Sequence, residues 1–375
     1  MIPVSRPYLP QREKLDAYLD GIYARNRLSN DGPLVQELTR RLSSFLGVKH
    51  LLLVANGTLA LQVAYRALGV STEAGKSEPN AITTPLTFVA TASSLKWEGV
   101  DPVFGDVDAE TWCLDPDSIA PRVTQDTRAV VPVHLFGNAC DVEAIDTVAR
   151  DHGLRVIYDG AHAFGVRYRG ESLLSRGDAS AVSFHATKAF HTVEGGAIVF
   201  RHKADLEQAR SLINFGQTAP DRIEAVGLNA KMSEFHAAMG LCVLDELEHC
   251  LAPRREAWHA YEAELGGWAR MQRRSSSVEN NSYVYFPVAF ADEAQMHAVK
   301  DALERAEIQA RRYFYPALDR IPDLNPVRPP SARAGDLASR MLCLPMGQDR
   351  SETEYVLEIL RGMSRSMRMQ ATGDD

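Results

Sequence analysis

Along the first two-thirds of the chain, short apolar runs alternate with segments whose apolar residues recur at helical spacing. Leu51–Val54 is apolar throughout and ends at Ala55-Asn56-Gly57-Thr58. Beyond it Leu59, Leu61, Val63, Ala64, Ala67 and Leu68 form a stripe with helical periodicity. The same pattern predicts strands over Ala81–Thr83, Pro102–Phe104, Ala129–Val133, Arg155–Tyr158, Ala179–Phe184 and Ala197–Phe200. Helices such as Ala90–Trp97 and Asp141–His152 fall between them. Alternating strands and helices predict an α/β fold with a mostly parallel sheet covered on both faces. Ligands in such folds sit outside the carboxyl ends of the strands.

A helical pattern from Ser233 to about Leu251 then meets Pro253. This predicts a large domain over residues 1–252 and a smaller C-terminal α/β domain over 253–375. In the second part, helical Glu256–Leu265 leads through polar Arg273–Ser282 to a strand at Tyr283–Phe290. Asp292–Ala306 reads as helix, Gln309–Tyr315 as extended and Ser351–Met363 as helix. Ser71–Pro79, Gly216–Arg222 and Pro329–Gly335 read as loops, and the tail after Met367 as disordered. There is no internal repeat or low-complexity tract.

Composition narrows the class. With 375 residues, 45% of them apolar and 24% charged, the chain is an ordinary globular protein too long for one small core. No apolar run approaches the roughly 18 residues of a membrane span. The opening Met-Ile-Pro-Val-Ser-Arg-Pro lacks an export pattern, so a cytoplasmic protein is expected. A formal charge of −8 without a long basic run argues against a nucleic-acid partner. A small phosphorylated ligand needs only a helix N-terminus and stays possible. Cys113, Cys140, Cys242, Cys250 and Cys343 are scattered without a CxxC pair, as reduced thiols are.

The chemistry concentrates at the strand ends. Asp159 directly follows a strand pattern, in Tyr158-Asp159-Gly160-Ala161-His162. A carboxylate there can hold a heteroaromatic ring nitrogen protonated, which makes pyridoxal an electron sink. Lys188 follows another strand by a few residues, in Ser183-Phe184-His185-Ala186-Thr187-Lys188. Its amine becomes a nucleophile towards aldehydes once burial or neighbouring charge lowers its pKa. Asn56-Gly57-Thr58 opens a helix, where backbone amides and the Thr58 hydroxyl can take a phosphate, with Ser183 as a further donor. Phe88, in Thr84-Pro85-Leu86-Thr87-Phe88, can stack on a flat ring.

Alone, each of these residues has an ordinary structural role. A strand-end Asp caps helices, a loop Lys is solvated, an Asn-Gly-Thr turn is capped by its Thr, and a lone Phe is core. Their joint placement at consecutive strand ends points to one site. Asp106 and Asp108, without His or Glu at ligand spacing, read as loop residues and no metal is expected. His134 reads as a hydrogen-bonded structural histidine.

These motifs, in this order, make the chain similar to the DegT/DnrJ/EryC1/StrS family of nucleotide-sugar aminotransferases, pyridoxal 5′-phosphate enzymes of fold type I. Leu28-Ser29-Asn30-Asp31-Gly32-Pro33 and Gly227-Leu228-Asn229-Ala230-Lys231-Met232-Ser233-Glu234 belong to the same set, and the match runs to about Tyr315. The resemblance implies that Lys188 carries the cofactor as a Schiff base and that Asp159 pairs with its ring nitrogen. It places Gly57, Thr58 and Ser183 at the phosphate, Phe88 on the ring and His162 near the phenolic oxygen. Asn229 is implied to reach the phosphate in the neighbouring subunit of a homodimer, and Lys231 and Tyr313 to meet the nucleotide-sugar.

The chain departs from the family pattern at Gly160, at Val193 (where Gly is usual before Glu194-Gly195-Gly196) and in the Ser71–Asn80 loop. None of these removes a group the chemistry requires. Lys188 itself separates the chain from the family's dehydratase branch, which carries His there. The implied reaction moves an amino group from glutamate to C4 of dTDP-4-keto-6-deoxy-D-glucose. A 3-keto-sugar aminotransferase, a lyase or dehydratase using the same Schiff base, and a non-catalytic sensor are the alternatives.

Overall fold

Strand runs without polar interruption need apolar cover on both faces, and the alternation of side chains along each strand supplies two separate sets to bury. The computed structural model describes every residue except 73–77, 326–327, 348 and 373–375, with side chains as far as 365. Strands β1 (Leu51–Val54), β2 (Asn80–Thr83), β3 (Asp101–Phe104), β4 (Thr127–Val131) and β5 (Arg155–Asp159) are followed by a short ribbon of β6 (Arg167–Tyr168) and β7 (Glu171–Ser172). Then come β8 (Ala179–Ser183) and β9 (Gly196–Phe200). The central sheet has the order β1-β9-β8-β5-β4-β2-β3. Within this sheet β9 runs opposite to the other six strands.

Leu51, Leu53, Val130, Val156 and Val182 face one layer of helices, while Leu52, Val54, Val131, Ile157 and Ala181 face the other. The first layer contains α2 (Pro33–Leu46) and α5 (Val142–Asp151), after the N-terminal α1 (Arg12–Arg25). The second contains α3 (Gly57–Ala67), α4 (Ala90–Trp97) and α6 (Lys203–Leu212). The expected strands and helices of this region are present, shifted by a residue or two at their ends.

Gly216–Arg222, read as a loop, folds into a hairpin of β10 (Gln217–Ala219) and β11 (Arg222–Ile223). The loop expected over Ser71–Pro79 includes residues 73–77, which lie outside those described.

The long helix expected from Ser233 is two helices, α7 (Glu234–Asp245) and α8 (Leu247–Leu265). The break falls at Glu246, whose buried carboxylate accepts from the Tyr8 hydroxyl at 2.8 Å and the Gln11 amide at 3.2 Å and pairs with Lys14 at 2.6 Å. Pro253 does not end α8. Its lost amide removes one rung, but Cys250, Arg254, Ala257, Trp258 and Tyr261 are buried on either side and hold the helix. The division expected at 252/253 therefore falls inside a helix.

A second sheet, β12 (Arg270–Met271), β13 (Phe286–Ala289) and β14 (Met341–Leu344), packs with α8 and α9 (Glu293–Arg305) around Trp258, Phe286, Phe290, Met296 and Leu344. The N-terminus joins this unit, with Ile2 in its core and bridged to Ile308. Gln309–Tyr315, expected to be extended, touches β14 through one antiparallel bridge, Arg311 to Cys343.

Two helix starts are capped from far along the chain. Gly32 has no side chain to cap α2, and the buried Glu234 accepts from the amides of Leu34 at 3.1 Å and Val35 at 3.0 Å. Pro329–Gly335, read as a loop, instead contains the start of α10 (Ala332–Arg340). Asp106 accepts there from the amides of Arg333 at 3.1 Å and Ala334 at 3.0 Å. Asp108 closes its own turn on Thr111. The last helix, α11 (Arg350–Thr372), continues past Met367 to Thr372, where disorder was expected; residues 373–375 lie outside those described.

Replacing Glu234 with Ala leaves two buried amides without acceptors and should cost about 2–4 kcal/mol. Glu234→Gln keeps one acceptor and should lose less, both read from the midpoint of urea unfolding. Val193, where the family pattern has Gly, sits at φ 69°, a left-handed conformation costly for a β-branched side chain. Val193→Gly should raise stability by about 0.5–1 kcal/mol, the relief exceeding the added chain entropy, seen as a higher melting temperature.

Candidate active site

The carboxyl ends of β1, β5 and β8 converge on one cavity of about 380 Å³. It is lined by Gly57, Thr58, Phe88, Asp159, His162, Ser183, Lys188 and Tyr313, eight of the residues singled out from the sequence.

At the end of β1 the chain turns into α3. Asn56, not Thr58, is the cap, its side chain accepting from the Leu59 amide at 2.8 Å. The amides of Gly57 and Thr58 belong to the first turn, where the helix itself offers no acceptor. Ser183 lies against this turn: a Cβ on Gly57 would stand 3.0 Å from that of Ser183. Gly196 permits the approach from the other side, since a Cβ there would be 2.7 Å from the backbone of Asn56. Two amides, two hydroxyls and a helix N-terminus form a donor set suited to a phosphate.

Asp159 ends β5 and is 6% exposed. Its Oδ2 accepts from the Thr91 hydroxyl at 2.7 Å and its Oδ1 from the Ala161 amide at 3.0 Å. Burial pushes the carboxyl above its ordinary range, while these two bonds and the charge of Lys188 work in the opposite direction. A buried carboxylate facing a cavity fits a ligand that brings a positive charge, as a protonated ring nitrogen does.

Lys188 follows β8 through a turn closed by its amide donating to the His185 carbonyl at 2.9 Å. Its Nζ lies 5.2 Å from the centre of the Tyr285 ring. Burial pulls its ammonium down to about 8; Asp159 favours the charged form and Arg254 opposes it. Arg254 is itself fully buried on α8 and donates to the carbonyls of Tyr283 and Val284, both at 3.4 Å. His162 is held neutral by burial, with the Lys188 charge adding to the effect, and its Nδ1 accepts from the Phe136 amide at 3.2 Å. Phe88, which could have been core, is 56% exposed and stands 6.2 Å from Phe314 between ring centres.

Asn229 and Lys231 do not line this cavity. Asn229 bridges Asn214, and Lys231 Nζ donates to the Asn214 side chain at 2.9 Å. Lys231 borders a separate cavity of about 370 Å³ with Asn30 and Asp31. His134 is buried and structural: its Nδ1 accepts from the Cys140 amide at 3.3 Å and its ring stacks on Tyr158.

Sequence reasoning missed Thr91, Tyr285, Phe314 and Arg311. Thr91 had a signal: it lies one helical turn after Thr87, and their hydroxyls are 3.0 Å apart. The other three come from the second unit of the fold, and no strand-end motif marks them.

A family model described as the DegT/DnrJ/EryC1/StrS aminotransferase family matches residues 11–361, well past the Tyr315 limit of the recognised motifs. The dTDP-4-amino-4,6-dideoxy-D-glucose transaminase of Shigella dysenteriae is 40% identical over 368 residues, 96% of this chain and 98% of its own. The enzyme of that name from Escherichia coli is 34% identical, over 96% of this chain and 97% of its own. The solved structure of DesI in the presence of its TDP-sugar product has a TM-score of 0.89 at 35% identity, covering 100% of this chain and 96% of that one. The chain belongs to the DegT/DnrJ/EryC1/StrS aminotransferase family.

Proposed function

We propose that this aminotransferase uses pyridoxal 5′-phosphate to move an amino group from glutamate to C4 of dTDP-4-keto-6-deoxy-D-glucose. The observation that carries the reading is the placement of Asp159 and Lys188 across one cavity from a phosphate-type helix turn. The names of the two transaminases and the TDP-sugar product in DesI support the substrate.

When bound, the cofactor supplies an electron sink for the bond broken at the amino acid's Cα. Gly57, Thr58 and Ser183 would hold its phosphate, and Lys188 would anchor it covalently. Asp159 would keep a proton on the ring nitrogen, and the Thr91 hydroxyl fixes that carboxylate in place. The Lys188 amine would serve as the base that takes the proton from the amino acid's Cα and as the acid that returns it. An amine titrating near 8 can both accept and return that proton near neutral pH. His162 and Phe88, which line the same cavity, would border the ring.

The protein acts as a homodimer in which Asn229 completes the phosphate site of the other subunit, with Lys231 beside it at the nucleotide-sugar and Tyr313 meeting that ligand from within the cavity. Exposed apolar side chains near that segment support the reading: Leu28 is 51%, Phe215 53%, Ile223 71% and Val226 79% exposed. Among the described residues no helix is long and apolar enough to cross a membrane, and a cytoplasmic location fits the substrates.

Incubation with the 4-keto sugar nucleotide and glutamate should place nitrogen on C4; amination at C3, or elimination, overturns the reading. Loading of cofactor-free protein with pyridoxal 5′-phosphate should accelerate with pH and level off above a midpoint near pH 8, followed by absorbance. Asp159→Asn removes the charge that favours the ammonium, so its midpoint should move lower while turnover falls by on the order of a hundredfold or more. Mixing Lys188→Ala with Asn229→Ala protein should regain about one quarter of wild-type activity, because half the dimers then carry one intact site. No recovery would show that each subunit builds its site alone.

A further inference from the structure

Both halves of the proposed exchange bring an anion into the same cavity: an amino acid's carboxylates first, a nucleotide-sugar's diphosphate second. The walls contributed by this chain are poor in positive charge. Among the described residues they carry the carboxylates of Asp159 and Glu194 and one guanidinium, that of Arg311. Lys188 is committed to the cofactor and His162 is held neutral. His185 faces Glu194 at 3.6 Å.

Arg311 is rigidly presented. Its amide donates to the Cys343 carbonyl at 3.1 Å and its carbonyl accepts from the Cys343 amide at 2.7 Å, fixing the backbone to β14. One Nη1 donates to the Tyr313 hydroxyl at 2.8 Å, and the guanidinium carbon lies 5.2 Å from the centre of that ring. A guanidinium has five N–H donors, so this contact leaves an edge for a ligand. Among the described residues no carboxylate pairs with it. The planar fork matches a carboxylate and a phosphate equally well, as a lysine's point charge does not.

We propose that Arg311 is the common anion anchor of both half-reactions, a specificity residue that grips the donor's carboxylate and then the nucleotide-sugar's diphosphate. The inference rests on the two-substrate exchange proposed above. Because the two anions need one guanidinium, they exclude each other.

The test uses holoenzyme and two unreactive probes, glutarate for the donor and dTDP for the acceptor, with binding read by calorimetry. In the wild type each probe should displace the other. Arg311→Gln should weaken both by about tenfold or more, and Arg311→Lys should weaken both to a smaller extent. Arg311 is exposed, so melting temperatures should match the wild type's. Simultaneous binding in the wild type, or loss of only one probe or neither in Arg311→Gln, overturns the shared anchor. Adding glutamate to wild-type holoenzyme separates the two levels of inference. A bleached cofactor band leaves the exchange standing and assigns any failure to Arg311 alone, whereas an unchanged band counts against the exchange itself.

Discussion

A carboxylate taken out of water must be balanced, and the site is organised around how Asp159 meets that demand. An uncompensated buried ion costs several kcal/mol. The Thr91 hydroxyl, the Ala161 amide and the Lys188 charge supply part of the compensation, yet burial still holds the carboxyl above its usual range. In the proposed reading a protonated ring nitrogen supplies the rest. The contact that retains the cofactor is then also the one that makes it reactive. Lys188 stands in the reciprocal position, its ammonium weakened by burial and by Arg254 behind it and supported by Asp159.

The rest of the large sheet serves to keep these groups at fixed separations. Successive side chains of β1, β4, β5 and β8 go to opposite helical layers, so each strand is gripped on both faces and its end cannot slide. Close backbone approach at Gly57 and Gly196 brings the phosphate-type turn against Ser183. The second unit of the fold then closes the cavity with Tyr285, Arg311, Tyr313 and Phe314.

Local patterns in the sequence reveal this sheet and the residues at its strand ends. Leu51–Val54 and Ala90–Trp97 have the bounds their periodicity predicts, because burial on two faces leaves a plain apolar signature. Two of the errors share one cause. The break at Glu246 depends on Tyr8, Gln11 and Lys14, and the start of α10 depends on Asp106. Partners so distant in sequence leave no periodic trace. Arg311 and Tyr285 were hidden for a related reason: they reach the cavity from a different sheet, and nothing near them in the chain marks a strand end there. Asn229 and Lys231 were recognisable only through family resemblance, and they lie outside the cavity that holds Asp159 and Lys188.

The cap that Glu234 places on α2 has a consequence for making hybrids of related enzymes. Gly32 and Glu234 are fitted to each other: a Cβ on Gly32 would come within 2.5 Å of the Glu234 carboxyl carbon. Any crossover point between them takes the two from different parents. A parent with a larger residue at the first position, or a shorter one at the second, would deliver a helix start that is either blocked or bare. Exchanging loops to alter substrate choice therefore succeeds most readily when both positions come from one parent, even though the grafted loop touches neither.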